Sequence, residues 1–290
     1  MKKIIFLLPV YNDWESLNKL FTEIDFELGK IQGYQFECIV INDSSTVSKP
    51  KIIKPKNLVS LKIINMKKNQ GHARCNASGL RYIVKNEKFD YVILMDSDGE
   101  DRPVEIKDLI EKITEKPSNT VVAKRIKRSE GIIFKFLYQV HKLITFIFTG
   151  KKINFGNYSC LAKKDVQTII EKPSLWSSFS GTLKKNTAVL NEINSIRGKR
   201  YFGPSQMSFF NLLKHSLAII SVFRKTVLIR SALFIIFYIL LIKSYASIIT
   251  SIPLVLLLIM IYSISSLALR ENMDEFNNSL SNINDIDKIK

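Results

Sequence analysis

The sequence predicts an α/β fold, a mostly parallel sheet covered on both faces by helices, followed by two amphipathic segments and a helical hairpin that crosses a membrane. Three observations predict it. Over the first 125 residues, short apolar runs alternate with stretches of helical periodicity, the pattern of a parallel sheet with crossover helices. Several of these runs end in clusters of polar and acidic residues. Near the other end, Ala246 to Leu269 is 24 residues without a charge.

Lys2–Val10 opens the order as a strand. Met-Lys-Lys before an apolar run resembles the start of a signal peptide, but Pro9 interrupts the run and Tyr11-Asn12-Asp13-Trp14-Glu15 follows without a small-residue cleavage site. A continuous Ile/Phe/Leu run reads instead as a strand buried on both faces. Trp14–Leu28 reads as a helix, Phe36–Ile41 and Leu61–Asn65 as strands, and Ala73–Val84 as a helix. Tyr91–Met95 is a strand, Val104–Thr114 a helix and Thr120–Ala123 a strand. Ligands of such sheets bind beyond the carboxyl ends of the strands. The polar clusters Tyr11-Asn12-Asp13, Asn42-Asp43-Ser44-Ser45, Lys67-Lys68-Asn69-Gln70-Gly71 and Asp96-Ser97-Asp98 are therefore expected to converge on one crevice.

Ile132–Phe148 and Ser205–Phe223 mix aromatic and aliphatic residues with Lys135, His141, Lys142, Lys214 and His215. They read as core helices or as helices lying in a bilayer interface. Nearness to the hydrophobic segments favours the interface. Ala246–Leu269 would span about 36 Å as a helix, enough to cross a bilayer with tilt. Thr226–Lys243 holds only Arg230 and Lys243 as charges, and both side chains can snorkel. Lys243-Ser244-Tyr245 leaves room only for a tight turn, so head and tail are expected on one side. Arg224, Lys225 and Arg230 on that side place it in the cytoplasm by the positive-inside rule. A buried helix pair in a soluble protein is the competing reading.

The whole chain carries a formal charge of +17, all of it within residues 1–225. Anionic lipid headgroups are the partner this suggests; no basic–aromatic motif supports nucleic acid. Cys38, Cys75 and Cys160 are too scattered for a zinc site or a disulfide framework and read as packed thiols. The composition excludes disordered and collagen-like chains.

Asp96-Ser97-Asp98 is the chemical centre. Two carboxylates at i, i+2 after an apolar strand, with Gly99 allowing a turn, can both reach a divalent cation, and Glu100 adds a third oxygen donor. Hard oxygen donors suit Mg²⁺ or Mn²⁺. An isolated acidic turn would have the same spelling; its place after a buried strand favours the metal. Neither a P-loop nor a G-x-G-x-x-G fingerprint is present.

Leu8-Pro9-Val10-Tyr11-Asn12-Asp13, Val40-Ile41-Asn42-Asp43-Ser44-Ser45, Asn69 through Leu80 and Met95 through Pro103 resemble, in order, the motifs of family 2 glycosyltransferases with the GT-A fold. The hydrophobic hairpin and Arg200-Tyr201-Phe202-Gly203-Pro204-Ser205 resemble the dolichol-phosphate mannose synthase-like branch, which includes bacterial polyprenyl-phosphate glycosyltransferases of the GtrB type. The resemblance implies that Pro9, Tyr11, Asp13 and Asp43 hold the base and ribose of a sugar donor, with Asp96 beside them. It implies that Asp96, Asp98 and Glu100 hold the metal on the diphosphate. Arg125 and Arg128, after the fifth strand, would form a mobile basic loop or a solvated turn, and Arg200 and Ser205 would help hold phosphate.

Some positions depart from the family. Gly156-Asn157-Tyr158-Ser159 stands where the family has Gly-Asp-Phe-Arg, so Asn157 takes the place of an Asp assigned as base or orienting group near the acceptor, and it cannot accept a proton. Gly203-Pro204-Ser205-Gln206 lacks the family's Lys. Both changes fall on the acceptor side.

The domains implied are a catalytic domain over 1–204 with an interfacial helix at about 131–150, a juxtamembrane amphipathic helix at 205–225, a transmembrane hairpin at 226–269 and a polar cytoplasmic tail at 270–290. The function implied is a metal-dependent, inverting transfer of sugar from a nucleotide-sugar donor to a lipid acceptor, with Asp98 and Asn157 at the reacting centre. Polyprenyl phosphate is the acceptor the resemblance suggests, in cell-surface glycan synthesis at the inner or plasma membrane. A different lipid-linked saccharide or glycan as acceptor, and an inactive membrane-bound binding or scaffold subunit, are the alternatives. The sequence leaves a homo-oligomer open.

Overall fold

The structure is a computed structural model that describes residues 1–127, 132–203, 209–269 and 271–290. Position 131 of the first amphipathic segment and positions 205–208 of the second lie outside the described residues.

The chain runs β1 (Lys2–Val10), α1 (Trp14–Leu28), β2 (Tyr34–Asn42), β3 (Ser60–Met66), α2 (His72–Asn86) and β4 (Tyr91–Leu94). It continues through α3 (Ile106–Glu115), β5 (Val121–Lys127), α4 (Ile132–Thr149), β6 (Phe155–Ala162), α5 (Lys163–Ile169), α6 (Phe179–Asn186) and β7 (Asn191–Ile196). Then come α7 (Phe209–Ser221), α8 (Arg224–Ile242), α9 (Ile248–Ala268), α10 (Met273–Asn277) and β8 (Ile283–Ile289). Among the described residues, eight strands form one sheet in the order β7-β5-β6-β4-β1-β2-β3-β8. The centre is parallel, with β1 between β2 and β4, while β6 and β8 run antiparallel to their neighbours.

Alternation along the strands explains the two-layered core. Ile5 and Leu7 of β1 join Ile39, Ile41 and the inward residues of α2, α5 and α6 on one face. Ile4, Phe6 and Leu8 join Cys38, Val40 and the inward residues of α1 and α3 on the other. Both faces are covered, so the central strands read as mostly apolar runs. All three cysteines are buried and free.

Among the described residues, two helices are long and apolar enough to cross a membrane, Arg224–Ile242 and Ile248–Ala268. At 1.5 Å per residue they reach about 28 and 32 Å, close to the thickness of a hydrocarbon core. They form a hairpin: the Tyr238 hydroxyl donates to Thr250 O at 3.0 Å, and Ser247 and Thr250 form a capping box at the start of α9. Leu233, Phe237, Leu240, Leu256 and Ile259 are exposed along it, a surface suited to lipid rather than water. At its base, Val227 and Ile264 enter the head's core with Ile219, Ile220, Val222 and Phe223 from the α7 end. Phe210 and Leu213, toward the start of α7, remain exposed. Arg230 donates to Ile147 O at 2.7 Å at the end of α4, where cationic groups stabilise unpaired carbonyls. It thus holds α8 to α4.

The tail differs from the expectation. Residues 270–290 were expected to form a polar appendage; instead they carry α10 and β8, and β8 pairs antiparallel with β3 at the sheet edge. Ile283, Ile286 and Ile289 recur every third residue, matching neither strand nor helix periodicity. Asp285, Asp287 and Lys288 between them suit an edge strand, where charge discourages pairing with another chain. Because β8 completes the head's sheet, the hairpin returns to the side it left. Phe276 of α10 is 2% exposed and meets Trp176 edge-on with ring centroids 5.9 Å apart. Replacing it with alanine should cost about 3 kcal/mol. Phe276→Ala should lower the unfolding temperature in detergent by roughly 5–10 °C by scanning calorimetry; a wild-type melting curve would contradict the docking of this segment.

Candidate active site

The carboxyl ends of β1, β2, β3 and β4 do meet at one edge of the sheet. The turns there are set by local polar contacts. Asn12 (φ 54°) and Ser44 (φ 59°) both adopt left-handed backbone, costly for serine and tolerated by asparagine. The Asn12 carboxamide oxygen accepts from Thr46 N at 2.8 Å and Val47 N at 3.1 Å, and Asn12 N donates to Ser45 Oγ at 2.9 Å. Asn12 therefore ties the β1 turn to the β2 turn. Asp43 is 4% exposed, and its carboxylate accepts from Gln70 N at 3.0 Å and Gly71 N at 2.9 Å. Burial raises the Asp43 carboxyl, while these two donors and His72 pull it back. Pro9 lies in β1 and its carbonyl accepts from Ser97 Oγ at 2.7 Å, whereas Tyr11 stands half exposed at the rim.

Asp96 and Asp98 follow β4. Asp96 Oδ1 lies 3.2 Å from His72 Nε2 and accepts from the Asn157 amide at 3.1 Å. The same amide lies 2.6 Å from His72 Nε2. Asp98 Oδ2 pairs with Arg200 at 3.1 Å, and its Oδ1 accepts from Glu100 N at 3.0 Å. A third carboxylate, Asp101, is buried below them and accepts from Asp96 N at 2.9 Å. Burial and this crowding together shift the proton affinities of the carboxylates. Burial, then Asp96 and Glu100, push the Asp98 carboxyl well up. Burial and Asp96 do the same to Asp101. Burial would raise Asp96 too, but His72, Asn157 and Arg125 hold it below the usual carboxylate range. Burial disfavours the charged form of His72, yet Asp96 outweighs it and raises the imidazole.

A strap formed by residues 197–203 crosses this turn. Gly198 N donates to Glu100 O at 2.8 Å and Tyr201 N to Asp98 O at 2.9 Å. Arg200 bridges Asp13 and Asp98, so the two expected site residues Asp13 and Arg200 form an ion pair. Tyr201 donates to Glu23 at 2.6 Å and lies against Gly99, where a Cβ would come within 2.5 Å of the ring. At φ 88° Gly99 is also in left-handed backbone, so glycine is required on both counts.

Two expectations change. Glu100, expected as a free third metal donor, is engaged by Arg197, as Asp98 is by Arg200, and stays a candidate donor that also anchors the strap. Among the described residues no group of three or more His, Cys, Asp and Glu side chains is gathered as a metal cage. Arg125 was placed on a loop after the fifth strand. That strand continues to Lys127, and Arg125 lies within it, 3.9 Å from Asp101 and over Gly156, where a Cβ would lie 2.7 Å from its guanidinium. Arg125 is thus a fixed neutraliser of the acidic cluster. Arg128 and Ser205 lie outside the described residues. Ser159, where the family has Arg, is fully buried and donates to Asn157 O at 2.8 Å.

The donor set fits a hard divalent cation. Asp96 and Asp98 are paired oxygen donors at a turn, and a bound cation would offset the burial and the neighbouring carboxylates that raise the Asp98 carboxyl. Sequence reasoning placed Asn12 at the crevice without a role and missed His72, Asp101 and Arg197 as members of the site. His72 and Asp101 stood inside quoted motifs, but nothing in their spacing says that they face Asp96.

The family model described as glycosyl transferase family 2 matches residues 5–176. The chain is similar to the undecaprenyl-phosphate 4-deoxy-4-formamido-L-arabinose transferases of Photorhabdus laumondii and Klebsiella pneumoniae, at 24% identity over 225 and 226 residues. These alignments cover 73% of this chain, which spans 65% of the length of those relatives. Among solved structures, glucosyl-3-phosphoglycerate synthase from Mycobacterium tuberculosis, in complex with Mn²⁺, uridine diphosphate and phosphoglyceric acid, superposes with a TM-score of 0.52. Identity there is 12%, with 78% of each chain covered, a likeness of fold.

Proposed function

The chain belongs to glycosyl transferase family 2 and has its GT-A fold, and from that premise we propose that it is a membrane-anchored inverting glycosyltransferase, moving a sugar from a nucleoside-diphosphate donor to polyprenyl phosphate in cell-surface glycan synthesis. The observation that carries the reading is the acidic turn after β4, where Asp96 and Asp98 sit among Arg200, Arg125, His72 and a buried Asp101. Paired carboxylate oxygens at the ligand edge of the sheet suit a divalent cation. The curated relatives are named for transfer to undecaprenyl phosphate, and that supports a lipid phosphate as the acceptor.

In this reading the β1 and β2 turns, with Pro9, Tyr11, Asp13 and Asp43, frame the base and ribose of the donor. Asp96 and Asp98 would hold Mg²⁺ or Mn²⁺, which supplies charge neutralisation on the departing diphosphate. Arg200 is placed to exchange its carboxylate partners for phosphate oxygens, because it already bridges Asp13 and Asp98. Asn157 orients Asp96 and His72 and takes no proton. None is required, because a phosphate monoester is already ionised near neutral pH. The acceptor phosphate would lie at headgroup level, beside a head that carries the chain's positive charge. Ser159, in place of a cation, is the observation that favours the second reading, a different lipid-linked saccharide as acceptor.

Asp98→Asn keeps shape and removes one charge from the site. Turnover of nucleotide sugar in detergent should fall about 100-fold or more, and chelator should silence the wild type. A variant of near wild-type activity would contradict the assignment of Asp98, and turnover unaffected by chelator would contradict the metal. A protein that turns over no donor at all would instead be a binding or scaffold subunit.

Asn157→Ala removes the amide that bonds Asp96 and faces His72. Turnover should drop about tenfold, the scale of one or two hydrogen bonds. A loss as deep as that of Asp98→Asn would contradict a purely orienting role.

Both termini are proposed to be cytoplasmic, with Arg224 and Lys225 beside the first span. A reporter fused after Lys290 should be active only on the cytoplasmic side; activity on the opposite side would contradict the hairpin.

A further inference from the structure

The loop 67–71 between β3 and α2 holds both halves of the crevice. Its Gln70 and Gly71 amides carry Asp43 on one side. The next residue, His72, meets Asp96 on the other. The loop has no regular structure, and Gly71 within it is at φ 89°. Its fixation comes from residues more than 200 positions away in the chain. Lys67 N donates to Asn282 O at 2.7 Å, and Lys67 Nζ donates to Ser281 O at 2.9 Å. The Asn282 side chain, in a residue only 8% exposed, donates to Lys68 O at 3.2 Å and to Gln70 Oε1 at 3.1 Å. One residue thus grips the loop at Lys67, Lys68 and Gln70.

The placement follows from topology. β8 is antiparallel to β3, so its first residue, Ile283, pairs with Met66 at the ligand edge, while Ile289 pairs with Leu61 toward the far edge. The register shifts between Asn65 and Met66, so the ladder is irregular where Asn282 takes over. A second connection runs inward from the same end of β8. Asp285 accepts from the Asn65 amide, Asn65 Oδ1 accepts from Asn42 Nδ2 at 3.0 Å, and Asn42 Oδ1 accepts from Ser45 N at 2.9 Å. The segment after the membrane hairpin therefore reaches both the 67–71 loop and the β2 turn.

We propose that Asn282 is a positioning residue for the nucleotide donor: it fixes the 67–71 loop so that its amides hold Asp43 in place for a nucleoside diphosphate. The role rests on the donor site proposed above for its consequence in binding, and on the geometry alone for its consequence in loop order. Hydrogen exchange of the full-length protein in detergent reads the second. In Asn282→Ala, exchange of the 67–71 amides should rise at least tenfold while β1 and β2 keep wild-type protection. Asn282→Asp keeps the volume and removes both donated bonds, and should do the same if the alanine variant unfolds. Titration with uridine diphosphate and guanosine diphosphate, each with Mg²⁺, reads the first. Two lost hydrogen bonds should weaken the nucleotide that binds by roughly five- to tenfold.

Ile289→Ala, at the opposite end of β8, is the comparison. It should lower the unfolding temperature and leave both readouts unchanged, separating positioning from general stability. Wild-type exchange across 67–71 in both Asn282 variants, or an equal change in Ile289→Ala, overturns the proposal. If nucleotide binding is unchanged although the loop has loosened, positioning for the donor is overturned. A wild-type protein that binds neither nucleotide would defeat the donor-site reading and with it the donor role, leaving the loop contact as structure only.

Discussion

Negative charge concentrated at the end of β4 is the constraint around which the rest of the head is arranged. Three carboxylates, Asp96, Asp98 and Asp101, lie within one turn of chain, and Asp101 is almost wholly buried. Carboxylates this close raise one another's affinity for protons unless cations or donors intervene. The fold brings such groups from well-separated parts of the chain: His72 from α2, Arg125 from β5, Asn157 from β6 and Arg200 from the strap. Gly156 and Gly99 are the steric counterpart, leaving room for the Arg125 guanidinium and the Tyr201 ring. Burial first, then Asp96 and Glu100, keep the Asp98 carboxyl raised despite Arg200. Paired oxygen donors of this kind suit a hard divalent cation.

A second constraint is that the chain leaves the sheet for two lipid-suited helices and then returns to it. β8 can complete the sheet only if α8 and α9 form a hairpin, and the short connection before α10 keeps Phe276 within reach of Trp176. The base of the hairpin is part of the head's core, through Val227 and Ile264. Arg230 joins α8 to the end of α4. The sheet and the base of the hairpin are therefore one packed body at this level.

The central strands were legible because burial on both faces leaves them mostly apolar, with Glu37 of β2 met by Lys3, and the ligand crevice followed from the polar residues at their ends. Three features were not legible, each for a physical reason. β8 carries isoleucine every third residue with aspartates between, since an edge strand needs neither a continuous nor an alternating pattern. Arg125 read as part of a basic loop or solvated turn, yet β5 runs through it to Lys127: Arg125 lies 3.9 Å from Asp101, and Lys124 pairs with Glu192 of the neighbouring β7. Glu100 was matched to metal by its spacing from Asp96 and Asp98, but spacing could not reveal that Arg197 would arrive from nearly 100 positions away to claim it. Long-range partners of this kind are what a linear pattern omits. His72 and Asn282 entered the site by the same route.

The central claim is the transfer of sugar from a nucleoside diphosphate to a lipid phosphate at this site. Its most direct measurement is mass spectrometry of lipids extracted from vesicles that contain the purified protein and polyprenyl phosphate, supplied with a panel of nucleotide sugars and Mg²⁺. The account predicts a new lipid heavier than polyprenyl phosphate by one sugar residue, formed from one member of the panel and dependent on the divalent cation. Release of free sugar without a glycosylated lipid, or no new lipid from any donor, would contradict it.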